Sequence, residues 1–361
     1  MTRVRIPIGA LNKMNKENFK KKFTEFHDKN YKLLLLIPLI LIIASFVYMG
    51  FFYSQHHDFI NKDISLTGGT SVTINDKNLN LNDLKNAVSN KLEDVNVRQI
   101  SDLITQSQVA VIVETKSDAT QTRQVLENYL GYQLDEKNSS FEFTGSTLGA
   151  EFYSQLLLSI IFAFTFMGLV IFFIFSKNTK LKILMTFLSV ITPILFFFTH
   201  TISVNEAFIF SGIIFFISII FYTKDSIPSV AVIASAFADI FMTLIVVNLL
   251  GIKVSSAGII AFLMLIGYSV DTDILLTTRA IKRDVGTLNR RMFESFKTGI
   301  TMTLTAITAV LTALIIIGSF SSVLSQIFTI IAIGLGFDIL NTWLTNVSII
   351  KWYLLRKKHE N

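Results

Sequence analysis

Asp271 and Asp273 sit inside residues 256–280, a stretch otherwise apolar and long enough to cross a bilayer. Two further apolar segments carry Asp239 and Asp338 at similar depth. A carboxylate near the bilayer centre costs about 2.5–3.5 kcal/mol on insertion scales, so acids in such places mark ion or proton pathways by default. Burial favours the uncharged acid, which makes reversible protonation available as chemistry. The competing reading is interhelical hydrogen bonding alone, a task that Asn or Ser performs at lower cost. Residues two apart on an α-helix point about 200° from each other, so Asp271 and Asp273 cannot both face one neighbour. One is expected to point into the bundle toward Asp239 or a partner's helix. The other points to a second face or toward the membrane boundary near Arg279. Spacing does not say which is which.

Hydroxyls accompany the acids. Thr298, Thr301, Thr305, Thr308 and Thr312 recur at helical spacing, either lining a water or proton path or bonding their own helix backbone. Lys297, just before that row, reads by its position as a snorkelling boundary lysine. Ala231 with Ser235, and Ala234 with Ala238, are spaced four apart around Asp239 and permit close helix contact, bringing Asp239 near the 256–280 helix. His56, His57 and Asp58 have no further ligand at useful spacing, so they read as a juxtamembrane cluster and no metal is expected. No phosphate-binding loop is present, so ATP is not the energy source in this chain; neither a cofactor nor an enzymatic role is expected.

The elements that must position these groups are helices in a membrane. The chain has 361 residues, 51% of them hydrophobic and 16% charged, with 33 Phe and a mean hydropathy of +0.56. That balance belongs to a polytopic membrane protein. With no Cys there is no disulfide framework, and a net charge of +6 spread over short loops is no nucleic-acid signal. Segments long enough to span fall near 33–53, 152–175, 183–201, 205–222, 228–250, 256–280, 298–318 and 326–350, and the first reads as an anchor rather than a cleaved signal. Residues 1–32 hold nine basic and three acidic residues, the loop 176–182 three Lys and no acid, and residues 279–297 six basic and two acidic. Residues 54–150 reverse the balance, with eight basic and thirteen acidic. Basic loops stay in the cytoplasm, so both termini, 1–32 and 351–361, are predicted cytoplasmic, and 54–150 extracytoplasmic.

Within 54–150, strands are predicted at 70–75, 95–101, 109–114 and 140–144. Helices are predicted at 81–92, opened by Asn80 or Asn82, and from Asp118 to about Leu130, ended by Gly131. The order β-α-β-β-α-β is that of a ferredoxin-like split βαβ unit. The predicted fold class is therefore a polytopic α-helical membrane protein of about eight spans with an extracytoplasmic α+β ferredoxin-like domain. A first helix at 33–53 precedes that domain, and a bundle of about seven helices at 151–350 follows it.

Three stretches carry a resemblance: Ile64–Thr70 (ISLTGGT) with its paired Gly68 and Gly69, Thr144–Phe152 (TGSTLGAEF), and Gly267–Arg279 (GYSVDTDILLTTR). Paired glycines permit backbone torsions closed to other residues and a tight approach where the domain meets the membrane. With PSVAVIASAFADI at 228–240 and Asp338 followed by Asn341-Thr342-Trp343, they make the chain similar, from about 33 to 353, to the SecF family of the protein-export machinery, in its archaeal form, within the resistance-nodulation-division superfamily. The resemblance implies an accessory subunit of the Sec translocase. It would act with SecD beside a SecY-type channel, on a translocating polypeptide, among membrane lipid, and draw on the proton-motive force. It also implies a proton-pathway role for Asp271 or Asp273 with Asp239 and Asp338 as neighbours, and Lys297 matches a basic residue used in relatives; bacterial relatives place their acid at the position of Thr272. Two departures stand out. The family's usual Asp-Phe before the double glycine is Ser65-Leu66 here, and eight spans replace the usual six. Residues 176–226 therefore read as an inserted helical hairpin, peripheral and lipid-facing, which leaves the sidedness of everything downstream unchanged. The alternatives are a proton-driven exporter of lipids or small molecules and a non-energised membrane chaperone.

Overall fold

A bilayer offers no hydrogen bonds to the backbone, so long charge-poor runs of Leu, Ile, Val and Phe satisfy themselves as helices. The computed structural model describes residues 30–101, 105, 107–199, 202–282, 286–317 and 322–360. The basic N-terminal stretch to residue 29 and residues 283–285 of the basic 279–297 loop lie outside those. Helix α1 (Leu36–His56) comes first and is closed by His57 at a left-handed φ of 52°. A short α2 (Ile64–Thr67), capped by the Asp63 carboxylate, leads into the soluble domain.

That domain runs β1 (Gly69–Ile74), α3 (Leu81–Ser89), β2 (Asn96–Ser101), β3 (Gln108–Thr115), α4 (Ala119–Leu130) and β4 (Ser139–Thr144). The sheet order is β2-β3-β1-β4 with every neighbouring pair antiparallel, Val72 opposite both Val113 and Phe141. This is the ferredoxin-like arrangement expected from the element order. Asn80 caps α3 by accepting from Asn82 N and Asp83 N, and Asp118 caps α4 through Thr120 N and Gln121 N. Val72, Ile74, Leu84, Val88, Leu92, Val111, Val113 and Leu126 form the core between sheet and helices. Helix α3 ends at Ser89, three residues sooner than its apolar spacing predicts, and Leu92 reaches the same core from the turn that follows.

The bundle continues with α5 (Ser146–Phe175), α6 (Thr179–Ile194), α7 (Val204–Asp225), α8 (Ile227–Leu249), α9 (Ser256–Lys282), α10 (Leu288–Ile317) and α11 (Ser322–Asn341). A π-turn at Thr342–Asn346 carries α11 into α12 (Val347–Glu360). Eight helical stretches among the described residues are long and apolar enough to span, and each expected segment overlaps one of them. Helix α10 begins about ten residues ahead of expectation, because its polar opening turns stay helical and bury Met292 against α9 and α12, with Ser295 also buried. Helices α6 and α7 form a hairpin against α5, with Ile183, Phe187, Ile209 and Phe216 on its bare outer side.

The soluble domain is tied to one face of the bundle at several points. Asp63 N and Val254 N exchange hydrogen bonds with Val254 O and Asn61 O, and Asn248 Nδ2 donates to Phe59 O. Lys253 pairs with Asp94 at 3.6 Å. Leu66 plugs into a cluster of Val254, Ile259, Ile330 and Leu335 at the top of the bundle. At the opposite face, Ser348 Oγ of α12 reaches Tyr31 O, so the two ends of the described chain meet there.

Candidate functional site

Small residues let the central helices approach. Ala231, Ser235 and Ala238 are fully buried on α8, and a Cβ at Gly334 of α11 would strike Leu265 of α9. A Cβ at Gly299 of α10 would lie 2.8 Å from the Trp343 ring. This close packing brings three acids from three helices into one pocket: Asp239 (α8), Asp273 (α9) and Asp338 (α11), none more than 1% exposed.

Each acid is held by neutral donors. Asp239 accepts from Ser269 Oγ at 2.5 Å and Asn341 Nδ2 at 2.7 Å. Asp338 accepts from Thr272 Oγ1 at 2.9 Å, and from Thr303 and Thr342 Oγ1 at 3.2 Å each. Asp273 Oδ1 accepts from Asn346 Nδ2 at 2.8 Å, while its Oδ2 is buried with no hydrogen-bond partner of normal geometry, as is Ser235 Oγ on α8. Among the described residues no Lys or Arg forms an ion pair with any of the three. A pocket with three carboxyls, flexible hydroxyl donors and no counter-cation is chemically suited to taking up and releasing protons.

The π-turn is part of this construction. In an unbroken α-helix Asn346, eight residues beyond Asp338, would lie about 80° off its face. The i→i+5 pairing at 342–346 takes up that offset and turns Thr342, Asn346 and Asp338 to the same pocket.

The remaining candidates lie elsewhere. Asp271 is exposed on the outer side of α9. Lys297, Thr301 and Thr305 are exposed on α10, and the two threonine hydroxyls bond Lys297 O and Thr301 O of their own helix at 2.7 Å. The α10 hydroxyl that reaches an acid is that of Thr303, between them in sequence and roughly opposite on the helix, on a buried stripe with Ser295 and Gly299; it lies 3.2 Å from both Asp338 Oδ2 and its own-helix Gly299 O. Those small residues were its available signal. Ser269, Thr272, Asn341, Thr342 and Asn346 were also not singled out as ligands of the acids, although several fall in the family-like stretches. Gly68 and Gly69 take φ of 81° and 143°; a Cβ on either would run into the backbone of Ser146 or Thr115. Gly267 has open space where a Cβ would go. At Ser65, where the family's Asp is absent, the hydroxyl accepts from Ser256 N at 3.1 Å and so caps α9.

Charges at the domain junction are paired. Burial opposes the Asp58 charge, yet hydrogen bonds from Lys62, Tyr153 and Phe59 N hold its carboxyl below the usual range. Asp94 is likewise held low against partial burial by Lys116 and Lys253. Asp63 is pushed up by burial and by the nearby Glu114.

A multi-pass membrane protein with a split βαβ domain and an intramembrane carboxyl cluster is the class defined so far. Residues 199–356 match the family described as protein export membrane protein SecD/SecF, C-terminal. The protein-export membrane protein SecF of Methanocaldococcus jannaschii is 32% identical over 332 residues, spanning 90% of this chain and 96% of that protein. SecF of Methanothermobacter thermautotrophicus is 30% identical, over 90% and 93% respectively. The chain belongs to the SecF family of protein-export membrane proteins. Its fold is similar to the crystal structure of SecDF, a translocon-associated membrane protein from Thermus thermophilus, with a TM-score of 0.53 at 15% identity. That likeness covers 93% of this chain and 38% of that one.

Proposed function

We propose that this SecF-family chain works with SecD to promote protein export across the cytoplasmic membrane, driven by protons that visit the Asp239–Asp273–Asp338 pocket. The observation carrying this reading is Asp273, wholly buried in mid-span with one oxygen held by Asn346, the Thr342 and Ser235 hydroxyls close by, and no ion pair to Lys or Arg among the described residues. Charges buried without counter-ions are costly, so proton occupancy sets the charge of the pocket. Each charge crossing the membrane supplies about 2.3 kcal/mol per 100 mV. A change of protonation alters which hydroxyls and amides bond across α8, α9, α10 and the Asp338–Asn346 stretch, and thereby how those helices sit. The sheet domain, hydrogen-bonded to α9 through Ser65, follows that shift. The basic loops support cytoplasmic termini. The domain then lies outside, where it meets polypeptide leaving a SecY-type channel.

The test replaces Asp239, Asp273 and Asp338 by Asn, singly, and follows export with and without a proton gradient. Asp273→Asn is expected to remove the gradient-dependent part of export while the protein still accumulates in the membrane. Unchanged gradient dependence in all three variants sinks the reading and leaves a non-energised export helper.

A further inference from the structure

Between α5, α7 and α8 the bundle holds a slot that the acid pocket does not use. Its volume is about 350 Å³, in the range of small-molecule sites. Residues 153–164 of α5, 208–215 of α7 and 237–244 of α8 form its walls, and Phe59, Ile60 and Val254 line it at the end nearest the sheet domain. Apart from Tyr153 and Gly212, every lining residue is Phe, Leu, Ile or Val. Such walls give water no partner, and apolar cavities of this kind stay dry and take up hydrocarbon. Left empty, the slot forfeits the dispersion contacts of its lining.

The slot has a floor and a mouth. At the floor the Phe164 ring stands 6.1 Å from that of Phe215 and 6.2 Å from that of Phe237, tying α5 to α7 and α8. Tyr153 and Phe164 are eleven residues apart on α5, about 16 Å, or about half of a hydrocarbon core about 30 Å thick. A spanning helix, whether of a partner or of a second copy, runs the full thickness and does not fit a slot that closes halfway. A lipid chain of one leaflet ends there. At the mouth Lys62 Nζ lies 4.3 Å from the centre of the Tyr153 ring and pairs with Asp58, to which Tyr153 OH donates at 2.8 Å. An ammonium carries three donors, so Lys62 can serve Asp58 and a lipid phosphate together.

The geometry points to a binding site for one hydrocarbon chain of a membrane phospholipid, drawn from the leaflet on the side of the sheet domain, with its phosphate at Lys62 and its chain end at Phe164. The lipid fills the joint between the α6–α7 hairpin and the rest of the bundle, and this holds whether or not the export reading does.

The probe is phosphatidylglycerol carrying a photoactivatable diazirine midway along one acyl chain, in vesicles that contain the full-length protein. Illumination and peptide mass mapping are expected to place adducts on residues 157–164 and 237–244 at least as densely as on Ile183 and Phe187 of the bare outer side. In detergent, native mass spectrometry is expected to find one phospholipid retained per chain. Gly212 has open space where a Cβ would go, so Gly212→Leu fills the slot without a backbone clash. It is expected to lower both slot adducts and retained lipid about tenfold, the scale of overpacking a filled site. Gly50→Leu on α1, equally open, is expected to change neither. Four results overturn the proposal: adducts confined to the outer side, no retained phospholipid, a retained molecule without phosphorus, or full retention with Gly212→Leu. The first three are read on the unaltered protein, so they decide the matter even if Gly212→Leu fails to fold.

Discussion

Asp271 and Asp273 are chemically identical and two positions apart, yet one looks into a pocket of hydroxyls and the other away from the bundle. A similar contrast separates Thr303, whose hydroxyl lies 3.2 Å from both Asp338 Oδ2 and its own-helix Gly299 O, from Thr301 and Thr305, whose hydroxyls bond their own backbone. Thr303→Val is therefore expected to reduce gradient-dependent export, with a cost of about 1–2 kcal/mol for the lost interhelical bond. Thr301→Val is expected to leave it unchanged; equal effects in a transport assay would contradict the assignment. Asn346→Leu strips Asp273 of the amide that donates to it at 2.8 Å and is expected to lower thermal stability in detergent by about 1–3 kcal/mol. The acids were legible in the sequence because charge inside an apolar run is conspicuous. Their donors were not, because Ser, Thr and Asn in a span bond a neighbour or their own turn equally well. A run such as TMTLT offers hydroxyls to every side.

At the level of elements, alternation and caps located the four strands and two helices of the soluble domain to within a few residues, and hydropathy located the eight spans. The π-turn at 342–346 escaped because nothing in the residues Thr342–Asn346 breaks the helical pattern; packing around Asp338 and Asn346 decides it. The paired glycines were readable as a tight crossing, and their torsions give that crossing a cost. Gly69→Ala is expected to destabilise the domain junction by about 1–3 kcal/mol from backbone strain, with the clash on Thr115 O added. Thermal unfolding of the purified chain measures it. Gly267→Ala, where nothing lies in the way, is expected to leave the same curve in place.

For the molecule as a whole, the junction between sheet domain and bundle rests on ionised groups. Asp58 and Asp94, held below the usual carboxylate range, contribute stability above the unfolded value of about 4 and lose it as pH falls through their lowered values. Asp63, pushed up by burial, has the opposite sign, so acidification toward pH 4 first relieves it. Hydrogen exchange of the 249–256 turn is expected to hold or slow down to about pH 4, once corrected for intrinsic rates, and to speed up below that. Loosening between pH 8 and 5 would contradict this account. Loop charge yields an expected sidedness. The attachment was not legible in the sequence, because it joins Asn61 to Val254 and Asp94 to Lys253, residues far apart in the chain that no local pattern connects.

Ser65 grips the first amide of α9, and Asp273 rides about 17 residues farther along the same rod. At about 1.5 Å per residue the two are about 26 Å apart with no joint between them. The soluble domain and the buried acid thus share one crankshaft. On the proposed function, turning it at the acid would swing the domain, and dragging on the domain would twist the acid against Asn346. If the export reading proposed above holds, a polypeptide pulling on the domain would be felt in the middle of the membrane as torque.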